Sequence, residues 1–204
     1  MKVLNSKGGG PLEDKFGYEY RKFTGEEFKV NVRCILRITK SHTLKFIYYG
    51  RMAERCKNPF IKKLLSLRAK MLGVKCGIEI PKFENIGAGL LLCHAYAITL
   101  NENAKLGQDV TLFKGATVGS IRSGKHCGTP TIGDSVVIGL NAFVGGNVKI
   151  GSDVMIAPGA YVNFDVPDHS VVIGNPGVIH KKVGAADDYF TAYARKDCVD
   201  FVER

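Results

Sequence analysis

No stretch of the chain approaches eighteen uninterrupted apolar residues, so no membrane-spanning helix is expected. The opening segment, MKVLNSKGGGPLEDKF, has no apolar core, and a secretory signal is not expected either. Cysteine pairs of the CxxC kind are missing. Cys34, Cys56, Cys76, Cys93, Cys127 and Cys198 are scattered instead. That pattern argues against a disulfide framework and for a reduced, cytoplasmic setting. An apolar-poor composition is also missing: 45% of the 204 residues are hydrophobic, which excludes a disordered chain.

Acidic residues are scarce in the first third. Residues 1–73 hold 17 Lys/Arg against 6 Asp/Glu, a net of +11, whereas residues 74–204 hold 12 against 13, a net of −1. The basicity belongs to one segment, and two readings compete for it. One is contact with an anionic surface, such as the inner face of a membrane, and the other is helices with solvated basic faces. No nucleic-acid motif accompanies the charge, so a nucleic-acid partner is not expected.

The basic segment reads as helices. Residues 1–12 are Gly-rich and expected to fray. Residues 25–40 place Phe28, Val32, Ile35 and Leu36 at helical spacing, and residues 43–56 do so with Leu44, Ile47, Tyr48 and Met52. Gly50 weakens the second assignment. A third helix has Asn58 as N-cap, Pro59 in its first turn and Gly73 beyond its last. Its apolar stripe is Phe60, Leu64, Leu65, Met71 and Leu72, with Lys62, Lys63, Arg68 and Lys70 mostly elsewhere. Such a helix suits either its own domain or a membrane surface.

From Val74 an apolar residue recurs every six positions: Val74, Ile80, Ile86, Leu92 and Ile98. After two extra residues come Leu106, Leu112 and Val118. An eight-residue insertion precedes Ile132, Ile138, Val144, Ile150, Ile156 and Val162. A six-residue period matches neither the helix nor the plain strand. It fits a solenoid whose coils have three flat sides, with the repeat residue stacked inward about 4.8 Å from its equivalent. The expected organisation is a helical segment over 1–73, a coil domain over 74–182 with a loop at 120–131, and a C-terminal tail over 183–204, expected to be helical. The edges of the solenoid need caps, and the helices and the tail are the candidates.

These hexads resemble the hexapeptide-repeat acyltransferases, a family of left-handed parallel β-helices. The hand is implied by the resemblance alone, since the general crossover rule favours the other one. The stretch GIEIPKFENIGAGLLLCHAYAITLNENAKLGQDVTLFKGATVG is similar to serine acetyltransferases and to the related O-acetyltransferases of capsule and exopolysaccharide synthesis. The resemblance implies acetyl-CoA as acyl donor, no metal, and a homotrimer with active sites at the subunit interfaces. It makes His94, which by its phase points away from the core, the general base. A neutral imidazole takes the acceptor's hydroxyl proton as its oxygen attacks the thioester. Backbone N–H groups along the coil edge are expected to stabilise the oxyanion. Glu79, fifteen residues earlier, stands where serine acetyltransferases carry the aspartate that orients the base.

By the same resemblance, Leu140, Pro158, Asn163 and Phe164 match coenzyme A contacts. Gly174, Asn175 and Pro176 match the closing turn, and Lys181 with Lys182 the phosphate grip. Val178 replaces a second basic residue of the family pattern. In the 120–131 loop, SIRSGKHCGTPT, serine acetyltransferases carry an Arg-His pair before proline; here Gly128 and Thr129 stand there, leaving Arg122, Lys125 and His126 nearby. Cys93 likewise stands where those enzymes carry Asp. A metal at His126 and Cys127 lacks further ligands. These departures favour a sugar hydroxyl as acceptor, with serine as the alternative. A non-catalytic β-helix scaffold is the reading of a different class.

Overall fold

The computed structural model describes residues 13–187 and Tyr189. Four helices open the chain: α1 (Glu13–Thr24), α2 (Val32–Lys40), α3 (His42–Arg55) and α4 (Pro59–Cys76). Residues 13–24 carried no assignment from sequence. Their signal is aromatic: Phe16, Tyr20 and Phe23 recur at helical spacing, and Phe16 and Tyr20 are buried against Phe28 and Tyr48. The frayed segment expected at 1–12 lies outside the described residues, as does most of the 183–204 tail.

Helix boundaries and faces differ from expectation in instructive ways. Helix α2 begins only at Val32, because Asn31 accepts the Cys34 N–H and caps it there. Its buried residues are Cys34 and Ile38, while Val32, Ile35 and Leu36 face out. Helix α4 is capped by Asn58 as expected, but it runs on to Cys76 and stops at Gly77, which is left-handed (φ 63°). Gly73 therefore lies inside the helix. A Cβ there would press on the Ile78 carbonyl oxygen, so this glycine serves close packing rather than capping. The α4 stripe is split as well. Leu72 is buried with Ala69 and Gly73, while Phe60, Leu64 and Met71 are exposed. Val74 belongs to this helix and is exposed, so the inward repeat begins at Ile80.

The coils follow as thirteen short strands: β1 (Leu91–Cys93), β2 (Thr99–Leu100), β3 (Lys105–Leu106), β4 (Thr111–Phe113), β5 (Thr117–Gly119), β6 (Thr131–Ile132), β7 (Val136–Ile138), β8 (Phe143–Gly145), β9 (Lys149–Ile150), β10 (Val154–Ile156), β11 (Tyr161–Val162), β12 (Ser170–Ile173) and β13 (Val178–Lys181). Every third strand stacks in parallel on the same side. The first side is β1-β4-β7-β10-β12, closed by antiparallel β13. The second is β2-β5-β8-β11 and the third β3-β6-β9. On the first side Leu92, Leu112, Ile138, Ile156 and Val172 form one inward column. On the second, Leu100, Val118, Val144 and Val162 do so. Ile86, Leu106, Ile132, Ile150 and Val166 complete the third. All fourteen are buried.

One register differs from the sequence reading. The second side begins with Leu100, not Ile98, so the two extra residues fall between Leu92 and Leu100. They enlarge the corner that holds His94.

The helices dock on the first coil through a buried polar cluster. Arg51 makes two-pronged contact with Glu19 and donates to Glu54 and to the carbonyls of Phe83, Ile86 and Gly87. Glu19 also accepts the Leu90 N–H. Burial pushes the Glu19 carboxyl up and opposes charge on Arg51. Their attraction favours both charged forms, and for Arg51 it prevails, raising the guanidinium further. The cluster gives the coil-edge carbonyls of Phe83, Ile86 and Gly87 a charged donor.

Candidate active site

Each coil turns three corners, and the corner between the first and second sides gathers the residues of interest. Cys93 is in register with Phe113, so the next residues, His94 and Lys114, are stacked neighbours. Going up the column, the Lys114 N–H donates to the Cys93 carbonyl and the Asn141 N–H to the Lys114 carbonyl. The Gly159 N–H donates to the Leu140 carbonyl and the Tyr161 N–H to the Gly174 carbonyl. His94, Leu140, Pro158 and the Gly174–Pro176 turn thus share one edge, and all six residues are exposed.

The corner geometry explains their residue types. Gly115, Asn141 and Gly159 are left-handed there, and the enlarged corner solves the same turn with His94 (φ 50°) and Ala97 (φ 53°). Left-handed backbone in a non-glycine residue is costly, and the ladder on either side holds it in place.

Glu79 lies one coil below. Its backbone pairs with Thr99, donating to Ile98 and accepting from Leu100, so its side chain sits just past the His94 corner. Both side chains are exposed, and no hydrogen bond joins them.

Other expected site residues stand elsewhere. Arg122, Lys125 and His126 lie in the 120–131 loop, which folds back on itself (Ile121 paired with Gly128) against the next corner, where Asn147 donates to the His126 carbonyl. The second side of the coil separates them from His94 within one chain. Asn163 and Phe164 lie at that same second corner, and Phe164 packs beneath Gly177. Lys181 pairs with Ser170, and the Lys182 N–H donates to the His169 carbonyl, at the far end of β13 from Gly174–Pro176. That is a strand length of about 13 Å. A single chain therefore joins His94, Leu140, Pro158 and the closing turn, but not the loop or the lysine pair.

Two amides beside His94 are already used. Lys114 N–H and Gly115 N–H serve the Cys93 and Tyr96 carbonyls, so the expected oxyanion donors are not these. Tyr96 and Lys114, which carry no role in the sequence reading, flank His94, and the Lys114 ammonium lies 5.5 Å from the Tyr96 ring centre. Their signal was positional, since each falls in a corner after a stacked hexad.

Cys93 is buried in a second apolar cluster on the outer face of the first side, with Leu91, Phe113, Val137 and Ala186. The chain after β13 covers this cluster, held by Asp153, which accepts from Gly184 and Ala186 N–H and faces His169. A cleft of about 700 Å³ between α3, α4 and the first coil has Glu79 on its rim but touches neither His94 nor the corner column. Among the described residues no group of three or more His, Cys, Asp or Glu side chains is placed to hold a metal ion.

The family of bacterial transferase hexapeptide (six repeats) matches residues 129–163. Serine acetyltransferase 4 of Arabidopsis thaliana is 38% identical over 130 residues, covering 62% of this chain and 35% of that protein. The serine acetyltransferase of Helicobacter pylori is 36% identical over 116 residues, covering 57% and 66%. The solved serine acetyltransferase of Neisseria gonorrhoeae overlays with a TM-score of 0.64 at 27% identity, over 87% of this chain and 70% of that one. The chain spans about a third to two thirds of the length of the curated relatives it matches. The fold is the expected one, a left-handed parallel β-helix of hexapeptide repeats with an N-terminal helical segment.

Proposed function

We propose that this chain, a hexapeptide-repeat protein similar to serine acetyltransferases, is an acetyl-CoA-dependent O-acetyltransferase with L-serine as its acceptor. The observation that carries the reading is the single coil edge that His94 shares with Leu140, Pro158 and the Gly174–Pro176 turn. An extended pantetheine arm can lie along such an edge with its thioester at His94. The His94 imidazole takes the proton of the acceptor hydroxyl as that oxygen bonds to the thioester carbonyl carbon. Collapse of the tetrahedral adduct breaks the carbon–sulfur bond, and the proton passes from the imidazolium to the departing thiolate. Glu79, one coil below His94, orients the ring and stabilises its charged form. The Lys114 ammonium is the cation placed to face the oxyanion.

Serine is favoured because the relatives named above are serine acetyltransferases. The sugar acceptor expected from the sequence has no support among them. Two observations still speak for it: Cys93, where those enzymes carry Asp, is buried away from the edge, and no Arg-His pair precedes Pro130. The loop residues Arg122, Lys125 and His126 and the lysines 181 and 182 complete the site from a neighbouring subunit of a homotrimer. The experiment is coenzyme A release from acetyl-CoA with L-serine, with a panel of sugars, and with no acceptor. Serine-dependent release supports the reading. Release only with a sugar moves the acceptor, and no release with any acceptor despite acetyl-CoA binding leaves the scaffold reading.

A further inference from the structure

Helix α4 is apolar on the side that faces away from the protein. Phe60, Leu64, Leu67, Met71 and Val74 recur at spacings of four and three and are all exposed, Phe60 at 78% and Val74 at 71%. At roughly 100° per residue they form one stripe opposite the buried Ala69, Leu72 and Gly73. Lys63 and Lys70 border this stripe on one side and Arg68 and Lys75 on the other. None of the four forms an ion pair among the described residues, and Arg68 lies 5.9 Å from the Tyr49 ring centre. Helix α2 repeats the composition, with Val32, Ile35 and Leu36 exposed beside Arg33 and Lys40.

We infer that the exposed face of α4, helped by α2, docks on an anionic lipid bilayer. Three occupants fit an apolar helix stripe, and charge decides among them. A second copy of α4 would meet this one with the same apolar seam, but its borders would set Lys63 and Lys70 against Arg68 and Lys75 or against themselves. Such like-charged flanks disfavour self-pairing. An acidic partner helix would answer the borders of α4 but not the positive charge spread over the rest of residues 1–73. A bilayer surface with anionic headgroups answers the α4 stripe and its borders together: apolar side chains enter the headgroup boundary while the bordering lysines and arginine meet the lipid phosphates. The charge balance of residues 1–73, net +11, points the same way. The inference is independent of the acyl chemistry, because neither α2 nor α4 contributes to the His94 edge.

The test is co-sedimentation of the full chain at low salt with two kinds of vesicle: pure phosphatidylcholine, and equal parts phosphatidylcholine and phosphatidylglycerol. The chain is expected to partition onto the phosphatidylglycerol vesicles and to come off as salt is raised. The paired change Leu64→Asp with Leu67→Asp should weaken that partition tenfold or more, by roughly the apolar burial it removes. Lys63→Glu with Lys70→Glu should weaken it about fivefold per residue. These side chains are exposed, so folding is retained, as circular dichroism will report. Equal partition onto both vesicles, none onto either, or partition untouched by the leucine changes overturns the inference. If the leucine changes instead reduce the solution mass while vesicle binding is absent, the face belongs to a second copy and the inference falls.

Discussion

Leu92 stands in register with Leu112, twenty residues on, whereas Leu100 stands in register with Val118, eighteen residues on. The difference of two is absorbed in the corner between β1 and β2, the corner of His94. This corner is two residues longer than those stacked above it, where Gly115, Asn141 and Gly159 supply the left-handed residue. The proposed base therefore sits at the start of a straight run of corners rather than inside it.

The first prediction follows from that placement. His94→Asn keeps a residue that tolerates the left-handed backbone but removes the base. Turnover should fall about 100- to 10,000-fold with the assembly and melting temperature unchanged. Steady-state coenzyme A release read beside light scattering checks it. Near-wild-type turnover in the folded variant would remove His94 from the mechanism.

Lys114 gives a second, smaller effect. Lys114→Met removes the cation stacked next to His94 while keeping the stem. If the ammonium faces the oxyanion, kcat should fall about 10- to 100-fold with little change in the KM for acetyl-CoA. A change in KM alone would assign Lys114 to donor binding instead.

The buried pair Glu19–Arg51 makes a prediction about stability. Arg51→Met leaves the Glu19 carboxylate buried, with the Leu90 N–H still donating to it but its countercharge gone, and removes one donor each from the Phe83, Ile86 and Gly87 carbonyls. A loss of about 3–5 kcal/mol is expected, seen as a lower denaturant midpoint. The double change Glu19→Leu with Arg51→Met should recover part of it, because the Glu19 carboxylate is then no longer buried without its countercharge, while Glu54 keeps Lys15.

Much of this fold was legible because the coil repeats one physical requirement. Each side needs one inward apolar residue per six, and thirteen of the fourteen residues in that sequence column are buried. Ile98 was misplaced by two because both Ile98 and Leu100 are buried, so hydrophobicity alone does not fix which one stacks on Val118. The helices were harder. Periodicity marks an apolar face without saying what covers it, so spacing alone cannot tell the outward stripes of α2 and α4 from core. Gly50 looked like a helix breaker, yet it is buried inside α3 where a Cβ would enter the Phe83 ring. Of the site, the residues on one corner could be read from period and resemblance. The separation of Arg122, Lys125 and His126 from His94 could not, because it depends on which corner the 120–131 insertion leaves from.

The last prediction concerns pH and the chain that seals the outer face of the first side. Partial burial works to raise the Asp153 carboxyl, but the contact with His169 and the N–H groups of Ala186 and Gly184 outweigh it and hold the group below its ordinary 3.8. A carboxyl depressed in the folded state is stabilising above its unfolded value, and that contribution fades as pH falls through the folded one. Asp153→Asn should therefore lower the melting temperature near neutral pH, and the gap from wild type should close as acid takes the pH below 3.8. Hydrogen exchange should show where the loss occurs: the amides of Gly184 and Ala186, which donate to Asp153, should lose protection first, while Ile138 and Ile156 in the coil core keep theirs. A gap that stays constant into acid would mean that the Asp153 charge is not what holds this segment down.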